Sequence, residues 1–577
     1  MTTKTFGLLA ALLAGLAHAQ AMDGGLPVAP VAANPEAKPG ELVRSLDVDA
    51  GAPDAPVAAA VDAAFDADAG APAAALATER SEAEKKEEEG AWNLSAALSG
   101  SVRASYQGAT AFPLDATLQP YTIAPLLTRV RVTPEIHLGG FGLVAEADAA
   151  TGAIVGAPDV TSDLPAEVPG NEGWPTTKDN LARRVPYPPI AALELRKLYL
   201  EYKWASGAFR VGQQTSNWGL GLLANDGGKD PEAGDFGQQQ FGNLTYRALL
   251  AARPLFNKGG AWRAFETAFA ADLIVRDNFG EFARGDRAFQ GIIALRFAKD
   301  ADNNLGVYVV YRNQSNIYVT DGGKKTQAFV FDFAGKWEFI KRAERSLKVG
   351  WEIVGIGGTT TQARNENASV LGVRQLGFAW KTAYRIRSTT IYLDGGFASG
   401  DQNPADDKVE NFRFDRDYKV GLILFDNVLS YQTARSGARA SDPNVVGVPP
   451  EGTDLLGTAG SVSGAWYLYP RVKVSVFDWF DLYGGPLFAF GTAKLTDPYN
   501  SRINGGTSLN FLGGSPGSYL GTEIDLGAQV RFHPIKELLI SVTGEGGLFL
   551  PGDAFRLPDG QAMAPIGFGR LRLMVAL

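Results

Sequence analysis

From Trp92 the chain reads WNLSAALSGSVRASY, and the alternation in this stretch constrains the fold more than any other feature. Trp92, Leu94, Ala96, Leu98, Gly100, Val102, Ala104 and Tyr106 are apolar or small; Asn93, Ser95, Ala97, Ser99, Ser101, Arg103 and Ser105 lie between them. A period of two sends successive side chains to opposite faces of a β-strand. Such a strand is far longer than the five or six residues or so that are common in soluble sheets. Its apolar face must meet either a protein core or lipid.

The pattern recurs along the chain. RVRVTPEIHL sets Val130, Val132, Pro134, Ile136 and Leu138 against Arg129, Arg131, Thr133, Glu135 and His137. FGLVAEADA puts Glu146 and Asp148 on its polar side, and KLYLEYKW opposes Leu198, Leu200, Tyr202 and Trp204 to Lys197, Glu201 and Lys203. Further candidate strands cover 244–253, 264–276, 288–297, 306–316, 328–339, 347–356, 376–386, 389–398, 462–477, 482–493, 522–532, 538–550 and 566–577. Helical periodicity is nearly absent, so an all-β fold is expected. The connections alternate as well: 139–140, 205–208, 298–305, 341–346 and 387–389 are short, whereas 150–192, 215–243, 317–327, 357–375 and 399 onward are long. A transmembrane β-barrel with both termini on the periplasmic side has this rhythm.

Segment 399–460 interrupts the rhythm with DQNPADDKVENFRFDRD, then YKVGLILFDNVLSYQTARSGARA and a Pro/Gly-rich run. If none of it crosses the membrane, the barrel closes at 18 strands, the expectation taken here within a range of 16 to 20. A crossing by Lys419–Phe425 and a partner would make 20. An apolar patch that belongs to no wall strand is explained by a loop folded into the lumen.

The N-terminus sets the compartment. Lys4, the apolar run Phe6 to Leu16 and the small-x-small site Ala17-His18-Ala19 predict a secretory signal over 1–19. Its apolar run falls short of the ~20 residues a spanning helix needs. Residues 20–90 are rich in Ala, Pro and acidic side chains, with 15 Asp+Glu against 5 Lys+Arg, while 91–577 carry 48 of each. Such a composition buries too little apolar surface to offset chain entropy, so a disordered periplasmic arm is expected. The acidic balance belongs to the arm and says nothing of ion preference in the barrel. Cysteine is absent, which removes disulfides and thiolate chemistry.

Arg103, Arg129, Arg131, Glu135, Glu146, Lys197, Glu201, Lys203, Arg570 and Arg572 lie on polar faces and cannot line a dry core, because buried unpaired charge is costly. They are expected to line a wet lumen. Guanidinium groups among them offer forked donors to anionic solutes, and interleaved carboxylates allow an ion-paired wall instead. In 399–460, Asp401, Asp406, Asp407, Arg413, Asp415, Arg416 and Asp417 form the candidate constriction. With Glu410, the acidic members could gather a cation, but solvated loop charge is the better reading, and no metal is assigned.

Other motifs dissolve on inspection. Gly513-Gly514-Ser515-Pro516-Gly517 spells a nucleophile elbow, yet Pro516 has no N–H to stabilise an oxyanion. Gly219-Leu220-Gly221-Leu222-Leu223-Ala224 spells a dinucleotide fingerprint without the helix it requires. Asp300, Asp302 and Asn304 open like a calcium loop, but Tyr311 stands where the bidentate Glu belongs. His137 and His533 are the two histidines beyond the signal and have no evident partners. No enzyme activity and no cofactor are expected.

These residues resemble outer-membrane porin-type barrels. RVGQQTSNWGLGLL (Arg210–Leu223) is similar to a strand-and-loop segment of several large barrels, and Ala398–Asp426 is similar to the alginate-export type. GRLRLMVAL at the C-terminus resembles the final-strand assembly signal, departing from it by ending in Leu577 instead of an aromatic. The resemblance implies a monomeric or trimeric pore for small solutes or polyanions in the outer membrane of a Gram-negative bacterium. The partners expected are outer-membrane lipid, the barrel assembly machinery and small solutes, with no nucleic acid. The arm is left either as a spacer or as a handle for a periplasmic partner, and in the second case the barrel could be a scaffold without transport.

Overall fold

The computed structural model describes residues 93–162, 185–258, 260–317, 325–362, 367–446 and 452–577. The expected signal, the arm and Trp92 lie outside them. The strands are β1 (Leu94–Pro113), β2 (Pro120–Ile123), β3 (Leu126–Leu138), β4 (Phe141–Val155), β5 (Ala191–Trp204), β6 (Gly207–Thr215) and β7 (Leu244–Ala252). They continue with β8 (Phe265–Arg276), β9 (Asp286–Asp300), β10 (Asn303–Asn316), β11 (Thr326–Arg342), β12 (Arg345–Thr360), β13 (Leu371–Ile386) and β14 (Thr389–Ala398). The last are β15 (Lys408–Val409), β16 (Ala465–Phe477), β17 (Phe480–Gly491), β18 (Tyr519–Ile535), β19 (Leu538–Pro551) and β20 (Ile566–Ala576).

Of the 20 strands in the single sheet, β2 and β15 are short rim pieces on β1 and β13; the other 18 form the wall. Every wall strand pairs antiparallel with its neighbour in sequence, and β1 closes on β20 from Ser101↔Ala576 to Ala109↔Phe568. Closure satisfies the backbone polar groups of every strand, the condition for a sheet to cross lipid. The expected all-β barrel of 18 strands is what forms, and the described residues of 399–464 contribute no wall strand.

Burial is inverted relative to a soluble sheet. On β20, Arg570 and Arg572 are 4% and 2% exposed while Leu571 and Leu573 are 59% and 47% exposed. The apolar face seen in the sequence is therefore the outer one, a belt suited to hydrocarbon. Aromatic side chains cluster at its two margins. Tyr106, Tyr246, Phe289, Tyr311, Phe329 and Trp466 stand towards the long loops, and Tyr202, Trp204, Phe339, Phe477 and Trp479 towards the tight turns. Such girdles sit where amphipathic rings meet the membrane interface. Tight turns such as Gly139-Gly140 join β3 to β4, and the same short linkage recurs between β9 and β10, β11 and β12, β13 and β14, β16 and β17, and β18 and β19. The connection between β7 and β8, with its 3-10 turn Gly260–Ala264, is the long exception on that side.

Ile293 lies in the middle of the belt, 47% exposed beside Phe269 and Val309. Ile293→Arg is expected to lower unfolding stability in lipid by about 2–4 kcal/mol, the cost of a cation near the bilayer midplane. Urea titration of the barrel in vesicles measures it, and an unchanged midpoint would argue that this face does not meet lipid.

Candidate functional site: the lumen

The lumen is built from the charged faces of the strands. On β1 and β3, Arg103 and Arg129 are essentially fully buried and share the carboxylate of Asp230, with Arg103 Nη1 at 3.0 Å and Arg129 Nη2 at 2.5 Å. Arg131 makes a bidentate pair with Asp148 on β4 at 2.7 and 2.8 Å. Glu146 receives Arg196 Nε at 2.9 Å and Lys197 Nζ at 3.2 Å. Glu201 on β5 lies between Lys203 at 2.8 Å and Arg210 at 3.1 Å. Arg570 and Arg572 both approach Glu545 on β19, at 2.6 and 3.6 Å. Glu135 stands near the turn end of β3, 3.3 Å from His137. All ten wall residues singled out in the sequence thus turn inward, most of them into ion pairs.

Arg196 lies two residues from Leu198, so strict alternation would put it on the lipid side, yet it is fully buried. Glu146 pairs with Lys197 and Ala147 with Leu195, so Arg196 is the extra residue of a β-bulge. The bulge turns its guanidinium into the lumen beside Lys197.

Loops 216–243 and 399–464 both enter the interior. The first, 216–243, was not singled out as a constriction in the sequence, yet it meets wall strands around the whole circumference. Trp218 stacks on Tyr308 of β10, ring centroids 5.1 Å apart, and donates its indole N–H to Asp332 of β11 at 3.2 Å. Leu220 and Leu222 donate backbone N–H groups to Glu352 of β12. The stretch that spells a dinucleotide fingerprint therefore presents amides to a wall carboxylate. Beyond it, Gly227 and Gln239 accept from Arg129 and Arg103 through their carbonyls at 3.2 and 2.6 Å. Arg471 of β16 reaches the carbonyl of Gly234, and Arg570 of β20 that of Phe236. Phe236 packs 5.0 Å from Tyr483 of β17, and Gln238 donates to Ser105 of β1 at 3.2 Å. The neck of the loop needs glycine: Gly242 has φ +66°, and a Cβ there would fall 2.1 Å from the carbonyl oxygen of Asp226.

The second loop, 399–464, divides the residues singled out for it. Asp401, Asp406 and Asp407 stay at the rim, where the Asp401 and Asp406 carboxylates hold turns and the Asp407 carbonyl accepts from Gly372 N–H. Arg413 is half-buried and donates to the carbonyls of Gly457 and Leu455. Asp415, Arg416 and Asp417 are buried deep in the lumen. The Asp417 carboxylate accepts backbone N–H groups from Gln240 at 2.8 Å, Phe241 at 3.1 Å and Gly242 at 2.6 Å, which ties the two loops together. Burial pushes the Asp417 carboxyl up, but Lys419 and those amides outweigh it and hold it below the usual range. Burial and the neighbouring Asp417 push Asp415 well above that range. Arg416 lies over the ring of Phe241, 4.1 Å from its centroid.

The apolar patch of this loop forms a π-helical turn, Leu424–Leu429, running into helix α1 (Ser430–Ala440). Glu523 of β18 accepts the N–H groups of Leu422, Ile423 and Leu424 at the start of that turn. Arg435 of α1 pairs with Asp115 at 2.8 Å, and Tyr187 donates to Asp426 at 2.8 Å. Asp302, from the calcium-like stretch, sits in a tight turn and pairs with Lys336 and Lys348.

No family model and no curated protein match this chain. Among solved structures it is similar to OprD of Pseudomonas aeruginosa, with 11% identity over 85% of this chain and 97% of that one, TM-score 0.45. It is similar also to OccAB1 of Acinetobacter baumannii, with 10% identity over 84% and 96% of the two chains, TM-score 0.43. A third is OccK2 (OpdF) of Pseudomonas aeruginosa, with 8% identity over 84% and 97%, TM-score 0.44. The fold assignment rests on the strand pairing of this chain and not on these distant likenesses.

Proposed function

We propose that this protein is an outer-membrane channel for passive passage of small hydrophilic solutes, anions among them, and that it performs no catalysis. The observation that carries the reading is a closed wall whose inner face is lined with hydrogen-bonding and charged groups and whose outer face is leucine, valine and aromatic. Such an interior holds water and polar solutes, while the outer face holds lipid. The ten wall residues line the solute path. The constriction lies where Asp415, Arg416 and Asp417 meet loop 216–243.

Residues 1–19 as an export signal and 20–90 as a periplasmic arm belong to the same proposal. A polyanion, implied by the alginate-export likeness of 398–426, would require both loops to be displaced, so small solutes are preferred. Swelling of proteoliposomes tests the reading. Arabinose is expected to enter faster than raffinose, and both faster than in protein-free vesicles. Rates equal to those of protein-free vesicles would contradict it.

A further inference from the structure

At the loop-side ends of β7 to β13 the lumen holds a cavity of about 310 Å³. Its lining differs from the arginine-bearing arc on β20, β1, β3 and β5. Ile274, Val310, Val330, Ile356 and Val373 project into it from β8, β10, β11, β12 and β13, making an aliphatic wall that Gln290 of β9 interrupts. Its charged lining groups are already engaged: Arg312 pairs with Asp277, and Arg413 binds loop carbonyls.

Two lining groups point to a ligand. Asn243 and Thr245, 5% and 1% exposed, have side-chain oxygens without a hydrogen-bond partner among the described residues. They lie two positions apart and so share one face at the start of β7. The amide of Asn243 is held in one orientation, because Nδ2 donates to Leu223 O at 2.9 Å and Asp415 Oδ2 at 3.0 Å. Its Oδ1 can therefore only accept. A carboxylate solute has no proton to give it, whereas a hydroxyl or an amide N–H does. An ammonium could donate, but Asp277, the one lining carboxylate among the described residues, is paired, and the aliphatic wall does not repay desolvation of a charge.

We infer that this cavity is a binding site for an uncharged amphiphilic solute, one with an apolar ring face and hydroxyl groups along an edge. The ring lies on the wall formed by Ile274, Val310, Val330, Ile356 and Val373. A hydroxyl donates to Asn243 Oδ1, and a second bonds to Thr245 Oγ1. The inference rests on the channel reading and deepens it: neutral amphiphiles are held at the loop-side mouth, apart from the arginine arc.

Phenyl β-glucoside and phenyl β-glucuronide share ring and hydroxyls and differ by one carboxylate, and glucose lacks the apolar ring. Calorimetric titration of the full chain in detergent is expected to show the glucoside binding at least about ten-fold more tightly than either of the others. Thr245→Val should weaken it about five-fold, the loss of one neutral hydrogen bond, and Ile356→Ser should weaken it by removing apolar contact. Glucuronide binding as tightly as glucoside, an affinity untouched by both substitutions, or no glucoside binding at all would each overturn the inference. The wild-type comparison decides even if a variant does not fold. Bilayer current recorded from the same preparation separates the two claims. A barrel that conducts without discriminating overturns the site alone. One that binds the glucoside but never conducts bears out the site and overturns the channel reading.

Discussion

Replacing Asp230 with asparagine is expected to make the proposed channel several-fold more anion-selective and to loosen loop 216–243. The Asp230 carboxylate lies between Arg103 and Arg129, which are otherwise bonded to the carbonyls of Gly227 and Gln239. Burial pushes the Asp230 carboxyl up, but Arg129 and Arg103 more than offset this and keep it below the usual range. Asparagine cannot neutralise two guanidinium groups, so their charge is returned to the lumen. Removing one partner of a fully buried pair costs about 3–5 kcal/mol. Asp230 keeps 25% of its side-chain exposure, so about 2–3 kcal/mol of loop anchoring is a suitable expectation here. The reversal potential across a potassium chloride gradient should move towards that of chloride. An unchanged potential would place these arginines off the ion path.

Glu523→Ala is expected to free the inner part of loop 399–464. Glu523 is fully buried, and its carboxylate is the acceptor for three consecutive backbone N–H groups at the start of the Leu424–Leu429 turn. Alanine leaves three buried donors without an acceptor. Each such donor costs about 1–3 kcal/mol, so even with strong non-additivity the loop loses at least about 3 kcal/mol of attachment. Limited proteolysis should then cut within 412–446 while the barrel keeps its folded migration in unboiled gels. Glu523→Gln retains one acceptor oxygen and should be cut more slowly. Cleavage patterns identical to the wild type would show that Glu523 does not hold the loop.

The wall was legible in the sequence because a barrel strand has one lipid face and one wet face, and that contrast is written as a period of two. Strands such as 566–577 and the tight turn at Gly139-Gly140 could be read directly, and the strand number followed from the turns. Arg196 could not, because a bulge shifts register by one residue and leaves no mark on the local pattern. The inner loops were less legible for a different reason. In 399–464 the apolar run around Leu422–Phe425 signalled a burial site with no strand to supply it. Loop 216–243 is rich in Gly, Asp and Gln, and its partners are wall residues more than a hundred positions away, such as Arg103, Asp332, Glu352 and Arg570. Its signal was a long polar segment carrying isolated aromatics, Trp218, Phe236 and Phe241, which a solvated loop has no need of. The cavity between β7 and β13 was hidden in the same way, since it exists only once separate strands bring Ile274, Val330 and Val373 to one lining.

Single-barrel current in a planar bilayer, recorded for the full chain and for a variant in which 222–241 is replaced by a short Gly/Ser link, tests whether the barrel carries solute. Discrete current steps are expected for the full chain and larger steps for the variant, because loop 216–243 then no longer crosses the lumen. The absence of current from both, in protein shown to be folded and inserted, would contradict the channel reading and leave a barrel that carries no solute.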